Sequence, residues 1–281
     1  MRINKFTPIA ASVALSLGLT GCNWFDDDNK KETVKPVQTF EGSASASFGT
    51  EVTGRAVKGS LSNAAVVVKT MNDAGEMIPV AFRLAASADE SFTATANTQA
   101  EADAMAKAKV LAANPESVLT AMNGGYSLFV EDDFTGPLYI TVTTSSEGDD
   151  SMVKCDSFTG CGDYDTAPGV SEEAGMENNG DSNIDFGEWY KDDVTLQVVK
   201  FISVPAAAAS VRGMSYAEGE NKSTQYFANL TLFTSIAAEL LLEGAGNGEA
   251  ISEDAISQAS LKTLIQLLGP DTAIEAAALL A

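Results

Sequence analysis

Histidine is absent from all 281 residues. That absence removes the Ser-His-Asp and Cys-His arrangements of nucleophilic catalysis, imidazole zinc sites and haem attachment through C-x-x-C-H. Tryptophan is scarce, at two residues, and no aromatic-lined sugar subsite accompanies adjacent carboxylates such as Asp149-Asp150 or Glu172-Glu173. Positive charge is short as well: 17 Lys and Arg stand against 39 Asp and Glu, a formal charge of −22. Such a surface repels phosphate backbones and argues against nucleic acid as a partner. Beyond residue 22 no apolar run approaches the roughly 20 residues of a membrane-spanning helix. A Walker-type phosphate loop is also missing, since Gly244-Ala-Gly246-Asn-Gly248 follows a helical pattern and reads as a linker. These absences point to a protein that is not an enzyme, with a hydrolase built on carboxylates or a Ser-Lys pair as the catalytic alternative.

What the chain does have begins at its start. Arg2 and Lys5 form a short basic region, Ile9 to Leu19 an apolar stretch, and small residues follow, which is the three-part plan of an export signal over residues 1–21. Leu19-Thr20-Gly21-Cys22 closes it and resembles the lipobox of bacterial lipoproteins. The resemblance implies cleavage before Cys22, diacylglycerol on its sulfur and attachment to a membrane surface through acyl chains. In Gram-negative lipoproteins an Asp after the cysteine retains the protein at the inner membrane. Asn23 stands there, which by the same resemblance favours the outer membrane. Losing Arg2 and Lys5 makes the mature chain more acidic still.

With Cys22 given to lipid, Cys155 and Cys161 remain in an exported protein. Two thiols so close in an oxidising compartment most often form a disulfide. A metal or redox pair would recruit further ligands or a C-x-x-C spacing, and neither is present.

Residues 22–50 read as a flexible acidic tether, with Asp26-Asp27-Asp28, Lys30-Lys31 and a Gly/Ser/Ala stretch at 42–47. Residues 51–204 read as a small antiparallel β-sandwich of immunoglobulin or prealbumin type. Its strands are expected at Val52–Val57, Ala64–Thr70, Met77–Leu84, Tyr126–Val130, Leu138–Thr144 and Val194–Val204. A helical insertion over 98–122 is expected in two pieces. Thr98 and Glu101 have capping-box spacing ahead of the first, and Asn114-Pro115 opens the second. Residues 145–193 form an acidic loop around the cysteine pair. Residues 205–281 read as mainly helical, with helices near 229–243, stopped by Gly244, and 252–268, then a final Ala/Leu run from 271.

Within the acidic loop, Asp181, Asn183 and Asp185 alternate as the first three oxygen ligands of an EF-hand loop do, with Asp192 further on. Phe186 occupies the position such a loop needs for glycine, and Asp192 replaces the bidentate glutamate. Calcium at Asp181, Asn183, Asp185 and Asp192 is therefore the alternative to a solvated acidic loop, and no other cofactor is implied.

Val52-Thr-Gly-Arg-Ala-Val-Lys-Gly-Ser-Leu-Ser-Asn-Ala-Ala-Val-Val-Val68 is similar to the opening of carboxypeptidase regulatory-like domains. Gly125-Tyr-Ser-Leu-Phe129 and Gly136-Pro-Leu-Tyr-Ile140 are similar to their later strands. Cys155-Asp-Ser-Phe-Thr-Gly-Cys161-Gly, Ile184-Asp-Phe-Gly-Glu188 and Asn229-Leu-Thr-Leu-Phe-Thr234 resemble lipoproteins of marine Gram-negative bacteria built on that module. The resemblance implies a prealbumin-like sandwich with a helical tail and no activity of its own. The expectation is thus a lipid-anchored envelope protein serving as a spacer or interaction module for an envelope protein or glycan. A calcium-dependent or carbohydrate-binding surface protein is the runner-up.

Overall fold

Alternation drives the longest element, strand β1 (Phe40–Val57), whose residues Thr50, Val52, Gly54 and Ala56 are buried while their neighbours face outward. The computed structural model describes residues 38–72, 74–147, 149–163, 183–203 and 225–270. The export signal, Cys22, the tether up to residue 37, Asp181 and the run from 271 lie outside the described residues. After β1 come β2 (Leu61–Ser62), β3 (Ala65–Met71), β4 (Met77–Pro79), β5 (Phe82–Arg83) and β6 (Ser87–Ala96). Helix α1 (Gln99–Ala112) precedes β7 (Val118–Leu119), β8 (Gly125–Glu131), β9 (Gly136–Thr143), β10 (Met152–Lys154), β11 (Trp189–Tyr190) and β12 (Thr195–Ile202). The described chain closes with β13 (Gln225–Phe227), β14 (Leu230–Thr231), α2 (Leu232–Gly246) and α3 (Glu253–Leu268).

The fold is mixed α/β and mostly sheet. One sheet runs β13-β1-β8-β5, with β6 and β14 also on β1; a second runs β12-β9-β3-β4, with β7 on β3; a small third sheet runs β11-β10-β2. The first two share a core in which Val52, Leu128 and Val130 meet Val66, Ile140, Val142 and Leu196. Helices cover outer faces. Ala237, Ala238 and Leu241 of α2 and Ala259 of α3 pack on Tyr139 and Val199 of the second sheet. Val110 of α1 packs with Phe48, Phe92 and Phe129 on the first. Among the described residues no helix is long and apolar enough to cross a membrane.

Several expectations are corrected. Residues 40–50, assigned to the tether by their Gly/Ser/Ala composition, are strand, because β6 pairs with them from Phe40↔Ala96 to Phe48↔Ser87. The first sheet is not purely antiparallel: β13 and β14 run parallel to β1. Strands from both sides of residue 204 therefore share one sheet, while the described residues 225–270 are mainly helical, in α2 and α3. Met77–Leu84 splits between the two main sheets as β4 and β5. Residues 115–122 do not form the second half of a helical insertion. Asn114 is occupied instead, its Oδ1 accepting from Phe82 N at 2.5 Å and its Nδ2 donating to Val80 O, and β7 then pairs with Ala65 and Val66. The acidic loop contributes β10 and β11 to the small sheet. Helix α2 runs past Gly244 to a cap at Asn247.

Two helices start where the sequence places them, each with a side-chain cap, although Glu101 does not return the bond that would complete a capping box on α1. Thr98 caps α1 by accepting from Glu101 N, and Ser252 caps α3 by accepting from Ala255 N. The strongest polar fixture on the first sheet is Arg83. Its guanidinium is bidentate to Glu90, 2.6 Å at the closer contact, and lies 4.1 Å over the Phe48 ring. The Arg83 hydrogen bonds, with a smaller contribution from Ser87, hold the Glu90 carboxyl below its usual range.

Candidate functional site

The loop carrying the two cysteines is built on the small sheet. Strand β10 pairs with β2 through Met152↔Ser62 and Val153↔Leu61, and with β11 through Val153↔Tyr190 and Lys154↔Trp189. Gly59 makes this approach feasible. It sits at φ 65°, and a Cβ there would lie 1.7 Å from the Lys154 carbonyl oxygen. Asp156 adds a tie by accepting from Gly59 N at 2.8 Å.

Past β10, residues 155–163 and 183–190 run side by side. Cys155 N donates to Glu188 O at 2.8 Å and Gly187 N to Cys155 O at 2.9 Å. Further out, Cys161 N donates to Ile184 O at 2.8 Å and Ile184 N to Gly162 O at 2.7 Å, and Asp163 bridges Asn183. Cys155 and Cys161 are joined in a disulfide with Cα atoms 5.8 Å apart. Cys155, Ile184 and Trp189 are buried, and Trp189 packs on Met152. A loop of small polar residues thus gains a miniature core and a covalent brace.

Each arm turns tightly at a phenylalanine. In Ser157-Phe158-Thr159-Gly160 the Gly160 N–H donates to Ser157 O at 3.0 Å; in Asp185-Phe186-Gly187-Glu188 the Glu188 N–H donates to Asp185 O at 3.1 Å. Gly187 at φ 89° supplies the left-handed residue the second turn requires. Glu188, itself buried, returns its Oε2 to Asp185 N at 2.8 Å. The two rings stack with centroids 4.6 Å apart and planes 17° from parallel. They nevertheless stay in water, Phe158 being 89% and Phe186 54% exposed.

The residues named for calcium are distributed as follows. Asn183 and Asp185 lie on the second arm, beside the disulfide. Asp192 lies past β11, where its carboxylate is 3.6 Å from Lys58 Nζ and its carbonyl accepts from Thr144 Oγ1. Among the described residues no group of three or more Cys, Asp or Glu is placed to hold a metal ion. The neighbouring cations are engaged: Lys154 Nζ sits 5.7 Å from the Trp189 ring centre, and Lys191 donates to Asp149 O at 2.6 Å.

Sequence reasoning placed the disulfide and missed the aromatic pair. The signal available was a phenylalanine at the second position of each of two turn-forming tetrads, with 27 intervening residues hiding their proximity. No protein-family model, curated protein or solved structure matches the chain.

Proposed function

We propose that the protein is an exported lipoprotein, anchored through acyl chains on Cys22 at the outer membrane, whose body is a non-catalytic interaction or spacer module. The observation that carries this reading is the Leu19-Thr20-Gly21-Cys22 motif behind a basic start and an apolar stretch. The Cys155–Cys161 disulfide supports it, because such bonds persist in oxidising compartments outside the cytosol. Two sheets facing each other across one core, with the Val52–Val68 pattern on β1 to β3, support a prealbumin-like sandwich as the body. Absence of histidine supports a binding rather than a catalytic role.

Expression of the full chain in a Gram-negative host, with separation of inner and outer membranes, tests the anchor. The wild-type protein is expected in the outer-membrane fraction with an acylated N-terminal cysteine by mass spectrometry. Cys22→Ser is expected to be released or to accumulate unprocessed. A Cys22→Ser protein that is still cut and still membrane-bound overturns the reading.

A further inference from the structure

We propose that the stacked Phe158–Phe186 pair is the docking point for an arginine-bearing, basic segment of a protein partner. The inference rests on the interaction-module reading and names the chemistry of its partner.

The stack is redundant as a brace. The disulfide and the backbone hydrogen bonds between residues 155–163 and 183–190 already fix the two arms. What the rings add is an apolar surface: Phe158 buries little of itself even with Phe186 against it, at 89% exposed. The second position of a β-turn accepts most polar residues, so two phenylalanines brought together there cost solubility and gain only their mutual contact in folding. Rigid exposed aromatics of this kind serve as interface anchors, since little side-chain entropy remains to be lost on contact.

Charge selects the partner. Between residues 145 and 193 only Lys154 and Lys191 oppose a series of carboxylates running from Glu147 to Asp193. Among the described residues of this segment nine carboxylates stand against those two ammonium groups, so the field there attracts cations and repels phosphate or carboxylate groups. Among cations, guanidinium is planar and weakly hydrated and stacks on ring faces, whereas ammonium holds its water more tightly. The same chain already uses that contact internally, with Arg83 over Phe48 at 4.1 Å.

The test is a fluorescence-anisotropy titration of the full chain with labelled nonaarginine and nonalysine peptides, which carry equal charge. The wild-type protein is expected to bind nonaarginine about threefold or more tightly than nonalysine. Phe158→Ala/Phe186→Ala is expected to lose about three- to tenfold of the nonaarginine affinity, with nonalysine unchanged. Phe158→Leu/Phe186→Leu, which keeps apolar volume without a π face, is expected to lose the arginine preference as well. Unchanged melting temperatures show that the variants are folded. Equal affinity for the two peptides, or an alanine variant that binds nonaarginine as well as wild type, assigns the binding to bulk acidic charge and overturns the proposal. Phenylalanine-dependent sedimentation with phosphatidylcholine vesicles and no arginine preference overturns it in favour of a lipid surface. The outcome is independent of the Cys22→Ser fractionation, which bears on the anchor alone.

Discussion

Two tyrosines show how differently one residue type is treated. Tyr126 donates its buried hydroxyl to Ala228 O at 2.5 Å, tying β8 to the segment ahead of β14, and burial pushes its pKa well up. Tyr139, 4% exposed between the second sheet and α2, has a buried hydroxyl with no partner among the described residues. An unsatisfied buried hydroxyl costs on the order of 1–3 kcal/mol, so Tyr139→Phe should stabilise the protein by about 1 kcal/mol while Tyr126→Phe destabilises it. Urea denaturation of both variants measures this, and a destabilised Tyr139→Phe would show that the hydroxyl finds a partner in solution. At this scale the sequence was legible where chemistry is local: Thr98 and Ser252 cap their own helices within three residues. Asn114 was not legible, because its amide serves Phe82 and Val80, more than 30 residues away.

Among the elements, strands with apolar alternation announced themselves, and β8 and β9 lie within about two residues of where the pattern put them. Strand β6, Ser-Ala-Asp-Glu-Ser-Phe-Thr-Ala-Thr-Ala, carries only a faint pattern, Phe92, Ala94 and Ala96 alternating with Ser and Thr, because its inner face holds one large apolar residue, which packs with Phe48 and α1. It exists because β1 offers it a partner over eight aligned residue pairs. The contact between α1 and β1 depends on Gly42, where a Cβ would lie 2.2 Å from the Ala102 carbonyl carbon. Gly42→Ala should therefore push α1 off the strand and cost about 1–3 kcal/mol. Faster hydrogen exchange in α1 than in β9 would locate the damage, and uniform protection with unchanged stability would refute the close approach.

For the molecule as a whole, the disulfide is a local device. It spans a sequence separation of 6, so loop-closure entropy predicts only about 2 kcal/mol from it. Cys155→Ala/Cys161→Ala should lower the melting temperature modestly and loosen residues 155–163 and 183–190, leaving the core of the two main sheets protected. Calorimetry with and without reductant checks this: a large loss in the wild type on reduction would mean the small sheet supports the main core. Domain limits were the least legible feature. The parallel strands β13 and β14 are two or three residues each, too short to carry a pattern, and only β1 gives them a place.

The pairing of Glu51 with Gln225 in β1 and β13 has a consequence for the order in which the molecule is made. A chain delivered from its N-terminus presents β1 long before the segment that finishes its edge has emerged. Until then the strand has a free row of amides and carbonyls that any other extended peptide can join. Assembly therefore has to wait on late synthesis, and chains interrupted before residue 225 should be the species that stick to one another.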